Sequence, residues 1–243
     1  MVTTRTTDHA DPHDYDHQHS DVSGGTLRAA AFGAMDGLVT NISLVAGVGA
    51  AGASTHLIIL TGMAGLVAGA FSMALGEFAS VSTSNEQLQA EAETERAALK
   101  RNPVGELAEL TANFERMGMT KATAERAAQE VHEHPERALR VHITAELGVN
   151  PDQTPSPWIA AISSFVMFSA GAVVPLLPYF FGLDLLWVGL VVGGAGLVIA
   201  GGAAARFTTK SIWFSALRQL LFGAIAVTAT YLVGLWLGVG AAG

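Results

Sequence analysis

"FGAMDGLVTNISLVAGVGAAG", residues Phe32 to Gly52, is apolar and rich in glycine except for one carboxylate, Asp36. Stretches free of Asp, Glu, Lys and Arg recur at Leu57 to Gly76, Ser156 to Leu183, Leu185 to Ala205 and Gln219 to Gly243. Each reaches the ~20 apolar residues needed to cross a bilayer core. With about Leu27 to Ala50 as the first, they make five spans. The expected fold class is therefore all-α: a five-span helical membrane protein with a small helical insert between spans two and three.

The 243-residue chain has 27 glycines, only 14% charged residues and a net charge of -8, with a mean hydropathy of +0.39. That balance is too apolar for an ordinary soluble domain. The negative charge, with no basic and aromatic interleaving, excludes nucleic acid as a partner. There are no cysteines, so any metal is held by oxygen, imidazole or thioether.

Four regions follow: residues 1–26, a disordered His/Asp-rich cytoplasmic tail; 27–82, spans one and two; 83–157, the insert; and 158–243, spans three to five. The tail has no apolar run and is expected to be retained. The Lys and Arg residues fall at Arg5 and Arg28, in the insert, and at Arg206, Lys210 and Arg218, while the other loops have none. The positive-inside rule then puts the N-terminus and the insert in the cytoplasm and the C-terminus outside.

Residues 83–157 carry thirteen acids, twelve Glu and Asp152, against eight bases. Glu86 to Lys100 consists largely of good helix formers and is expected to prolong span two. Asn102-Pro103 breaks it. Val104, Leu107, Leu110, Phe114 and Met117 recur at helical spacing up to Gly118. Thr120 is placed to cap a helix over Lys121 to Glu133, and a last one runs from Glu136 to Leu147, ended by Gly148. So small a core calls for support from the membrane domain or a second subunit. Glu106 and Glu109 are three apart, and His142 and Glu146 are four apart, so each pair shares a helix face. Carboxylates and an imidazole suit Fe²⁺, Mn²⁺ or Zn²⁺, although glutamates on a helix are also an ordinary solvated face.

Asp36 lies eight residues beyond Arg28, roughly 12 Å along a helix. A charge at that depth costs at least ~2.5 kcal/mol and needs a cavity or a partner. "FSMALGEFASVS" in span two puts Met73 and Glu77 on one face, with Met73 at a depth close to that of Asp36. A structural hydrogen bond from a neighbour such as Asn41, an interfacial position for Glu77 and core packing for Met73 are the plainer readings. The functional one is ion exchange. Burial favours a protonated carboxyl and a bound cation favours an ionised one, so metal and protons compete for the same oxygens.

Three stretches, "AMDGLVTNISLVAG", "GLVAGAFSMALGEFASV" and "SPWIAAISSFVMFSAGAVVPLLPYF", resemble the vacuolar iron transporter family. The resemblance runs from about Gly25 to the C-terminus. It implies a five-span homodimer that exports cytosolic Fe²⁺, and in some members Mn²⁺, in exchange for protons; oxygen, imidazole and thioether ligands also suit Zn²⁺ and Co²⁺. Asp36 matches the family's essential acid, and Met73 and Glu77 its path-lining methionine and glutamate. Glu95, Glu106, Glu109 and Glu146 align with the insert's metal-binding glutamates. Two positions depart: Ala98 stands where the family commonly has an acid, and His142 where a methionine can occur. Glu91, one turn before Glu95, is a weaker candidate to compensate, and His13 and His17 of the tail "DHADPHDYDHQHS" are weaker candidates to hold metal near the pore.

The resemblance makes the chain no enzyme and gives it no prosthetic group. A bacterial-type, plasma-membrane antiporter is the expected function, and a non-transporting metal sensor or storage protein is the alternative. "GVGAAG" at Gly47 to Gly52 matches a dinucleotide-binding loop in letters only, since no strand precedes it. A di-iron carboxylate enzyme would need Glu-x-x-His, which occurs nowhere.

Overall fold

The computed structural model describes residues 25–151, 154–207 and 209–241, and no strand occurs among them. His13 and His17 lie outside the described residues. Five helices are long and apolar enough to cross a membrane. They lie in α1 (Gly25–Ala50), α2 (Thr55–Arg101), α6 (Pro157–Val173) continued by a 3₁₀ turn (Val174–Leu176) and α7 (Leu177–Phe180), α8 (Leu186–Ala204) and α9 (Ile212–Ala241). The insert is α3 (Pro103–Arg116), α4 (Lys121–His132) and α5 (Pro135–Leu147), packed on the distal part of α2.

Helix boundaries follow local chemistry. Ser54 and Ser156 accept hydrogen bonds from the backbone N–H groups of Leu57 and Ile159, opening α2 and α6. Asn102 ends α2 and, with its side chain accepting from Gly105 N–H at 3.1 Å, starts α3 with Pro103 in the first turn. Gly118 and Gly148 take φ of 99° and 68°, left-handed values that suit glycine after α3 and α5. Thr120 stands at the start of α4, but its hydroxyl meets Thr123 Oγ1 at 3.0 Å rather than capping a backbone N–H. Pro175 breaks regular helix within the third span, and α9 begins seven residues before Gln219.

α1 is central and touches α2, α6, α8 and α9. Its most extensive packing is with α6, where small residues let backbones meet: a Cβ on Gly37 would run into the Phe168 carbonyl, and one on Gly171 into that of Ala34. Replacing Gly37 by Val is expected to cost about 1–3 kcal/mol through overpacking, read as a lower Tm of the detergent-solubilised protein; an unchanged Tm would contradict this packing. Gly47 of the nucleotide-like sequence faces Gly234 on α9, again as helix packing. All four tryptophans are exposed: Trp158 and Trp213 at the starts of α6 and α9, Trp187 at the start of α8, and Trp236 near the end of α9. With alternating spans this sorts them two to each side, as interfacial aromatics do.

α2 has 47 residues, roughly 70 Å of helix, against a hydrocarbon core of about 30 Å. One continuous rod therefore joins the second span to the insert. Arg96 of α2 pairs with Glu136 of α5 at 3.5 Å, and Asn85 Nδ2 donates to the Pro155 carbonyl at 3.0 Å, fastening the insert at both ends. On α3 Leu110 is fully buried, while Val104 near its start and Met117 just past its end are 77% and 62% exposed, so only the middle of the apolar stripe is covered within one copy.

Candidate metal-binding site

Among the described residues, one set of three carboxylate or imidazole groups has donor atoms close enough for a single ion: Glu95, His142 and Glu146, all within 4.8 Å of one another. The continuation of α2 supplies Glu95, and α5 supplies the other two from the same face, one turn apart. His142 is completely buried. Its Nδ1 lies 3.1 Å from Glu95 Oε1, 3.1 Å from Glu146 Oε1 and 4.0 Å from Glu106 Oε2 on α3.

The contact with Glu146 has hydrogen-bond geometry, whereas Glu95 Oε1 is buried with no hydrogen-bond donor. A carboxylate oxygen stranded beside an imidazole and two other acids suits a cation, which supplies the charge that solvent no longer does. Burial, chiefly, and then the Glu146 carboxylate push the Glu95 carboxyl above its ordinary value of 4.5; His142 opposes this, and Glu106 and Glu109 add to it. Glu109 is exposed on α3 and acts on Glu95 through its charge, and Glu91 is exposed on α2.

A cation bound at Glu95 would compete with the proton that burial favours there. Metal affinity is expected to fall as pH drops through the raised pKa, by up to about tenfold per pH unit below it, and calorimetric titration at stepped pH checks this. Metal-free stability has the opposite sign. The folded carboxyl holds its proton more tightly than the unfolded one, so its contribution is full below pH 4.5 and is lost as pH rises through the raised value.

His132, the last residue of α4, was not singled out by spacing. Its Nε2 lies 3.0 Å from His142 Nε2, on the side of the ring away from the acids. Burial, and then the neighbouring His142, lower its pKa.

The three membrane candidates have separate partners. Asp36 is exposed on α1 and its Oδ1 accepts from Thr40 Oγ1 at 3.4 Å. Asn41 is buried and donates instead to the Ala172 carbonyl at 2.5 Å. Glu77 is paired with Arg28 at 3.2 Å, tying the start of α1 to α2. Met73 packs beside Ala70, Phe168 and Ala172.

Residues 27–235 match the model of the VIT family. The chain is 32% identical over 221 residues to "Vacuolar iron transporter" of Acanthamoeba castellanii, covering 87% of this chain and 78% of that protein. It is 34% identical over 208 residues to "Vacuolar iron transporter homolog 3" of Arabidopsis thaliana, covering 84% and 80%. To "Vacuolar iron transporter 1" of Eucalyptus grandis it is 29% identical over 215 residues, covering 86% and 85%.

Proposed function

The chain belongs to the VIT family, and from that membership we propose that it exports cytosolic Fe²⁺ across a bacterial plasma membrane in exchange for protons. Mn²⁺, Zn²⁺ and Co²⁺ are further candidate cargoes, since carboxylate and imidazole donors accept them all. The observation that carries the capture step is the buried Glu95 oxygen without a donor, facing His142 and Glu146.

In this reading Glu95, His142 and Glu146 take the ion from the cytoplasm, with Glu106 beside them and Glu109 adding to the local field. Glu77 stands eighteen residues back along α2, roughly 27 Å, at the membrane end of the same helix. There the arriving cation takes the place of the Arg28 guanidinium on the carboxylate. Met73 offers a thioether on the same face, and Asp36 completes the passage from α1. Metal ions and protons are alternative occupants of the path's carboxylates, and that competition couples the two flows. Asp36 is exposed on a single copy, and a carboxylate facing lipid is costly; a second copy of the chain completes a homodimer over that face.

Protein-loaded liposomes with a pH gradient test the reading. Fe²⁺ flux that requires the protein, with proton movement in the opposite direction, is expected. Metal binding without flux would instead make the protein a sensor or store, and flux indifferent to the gradient would remove the antiport.

A further inference from the structure

We propose that His132 is a positioning residue: when a metal ion takes the place of the Nδ1 proton that His142 shares with Glu146, His132 Nε2 accepts a hydrogen bond from His142 Nε2, holding His142 in the tautomer whose Nδ1 lone pair faces the ion. The capture site thereby gains a nitrogen donor, which favours Fe²⁺ and Zn²⁺ over Mn²⁺. This inference rests on the capture role of Glu95, His142 and Glu146.

The two nitrogens of an imidazole face apart, so a ring that turns Nδ1 toward three acids turns Nε2 away from them. His142 is fully buried, and a buried ring nitrogen without a partner is destabilising. At 3.0 Å, His132 Nε2 is at hydrogen-bonding distance, and the rings meet edge-on at 62°. A metal ion on Nδ1 requires the single proton of neutral His142 to stand on Nε2. His132 is then the acceptor, with its own ring proton on Nδ1.

A second ion between the two Nε2 atoms does not fit the charges on that side. His132 lines a cavity of about 290 Å³ together with Arg96, Lys100 and Glu136, and the Glu136 carboxylate is already paired with Arg96. The local surplus is positive, which suits a hydrogen bond rather than a cation. Metal-bound imidazoles are held in this way by a partner on the other nitrogen, and loss of such partners typically weakens binding by about 10–100-fold.

The test uses the full chain in detergent micelles, titrated separately with Zn²⁺ and Mn²⁺ in a calorimeter. His132→Leu is expected to weaken Zn²⁺ binding by about 10–100-fold and Mn²⁺ binding by no more than about threefold. His132→Gln, whose amide oxygen accepts at a similar reach, is expected to hold Zn²⁺ within about threefold of the unaltered chain. Bound Co²⁺ should lose its nitrogen-donor absorption in His132→Leu and keep it in His132→Gln.

Equal losses for both metals, or none, in His132→Leu would overturn the inference. So would failure of His132→Gln alongside it, which would make His132 a ligand. If Glu95→Gln with Glu146→Gln leaves Zn²⁺ binding unchanged, the capture site itself is wrong, a different failure from an unaffected His132→Leu beside an inactive double variant.

Discussion

Liposomes carrying Asp36→Asn are expected to lose proton-coupled metal flux by roughly 60-fold or more, while metal binding by the insert is unchanged. The magnitude follows from the ~2.5 kcal/mol or more that an uncompensated charge costs at membrane depth, at about 1.4 kcal/mol per factor of ten. Asn keeps the size of the side chain and an oxygen that accepts from Thr40 Oγ1. It removes only the charge and the proton site, so the variant separates ion exchange from packing. Because Asp36 is exposed, Asn leaves no buried gap and the detergent-solubilised protein should keep its Tm. Flux at the unaltered level would exclude Asp36 from the path, and lost flux with lost insert binding would point to misfolding.

That separation depends on which residues share a face with Asp36. At 100° per residue Asn41 is about 140° away from Asp36 around α1, while Thr40 is one turn above it. Asn41 accordingly turns inward to Ala172, and Thr40 supplies the hydrogen bond. Sequence spacing contained this answer once the angle was counted. The Arg28–Glu77 pair was not legible in the same way, because it joins residues 49 apart on different helices. Its signal was indirect: a base and an acid each near the end of a span on the side of the insert, where opposite charges meet at low cost.

Local rules carried most of the fold. Charge-free runs marked the spans, Asn102-Pro103 divided α2 from α3, and Gly148 ended α5. What they did not give was how Glu95 and His142 meet, since that depends on α5 packing back against the prolonged α2. His132 was hidden for a related reason. It lies on α4, and the reversal at His134-Pro135 brings it over a ring ten positions later, which no helical period describes. Two histidines just before a proline break, with a third seven residues beyond it, were the only trace of it.

The double variant Glu95→Gln with Glu146→Gln carries the other large effect: metal affinity of the insert should fall by at least about 100-fold, because direct ligands matter more than the supporting residues that cost about 10–100-fold. Glutamine retains the shape but offers a cation no charge, so the donor set shrinks to His142 and the more distant Glu106. The metal-free protein should respond in the opposite direction. Burial and the charge of Glu146 oppose ionisation of Glu95, so the native state near neutral pH carries unfavourable electrostatics that the amides relieve. The variant is thus expected to unfold at a higher temperature than the unaltered chain without metal, and to gain no further stability when metal is added. Ligand-linked stabilisation makes the second half sharp, because mass action stabilises a protein little at metal concentrations below its weakened dissociation constant. Calorimetry together with thermal unfolding, with and without Zn²⁺, reads both halves. Undiminished affinity would sink the site, whereas a lower metal-free Tm would mean that the two acids support the fold more than they strain it.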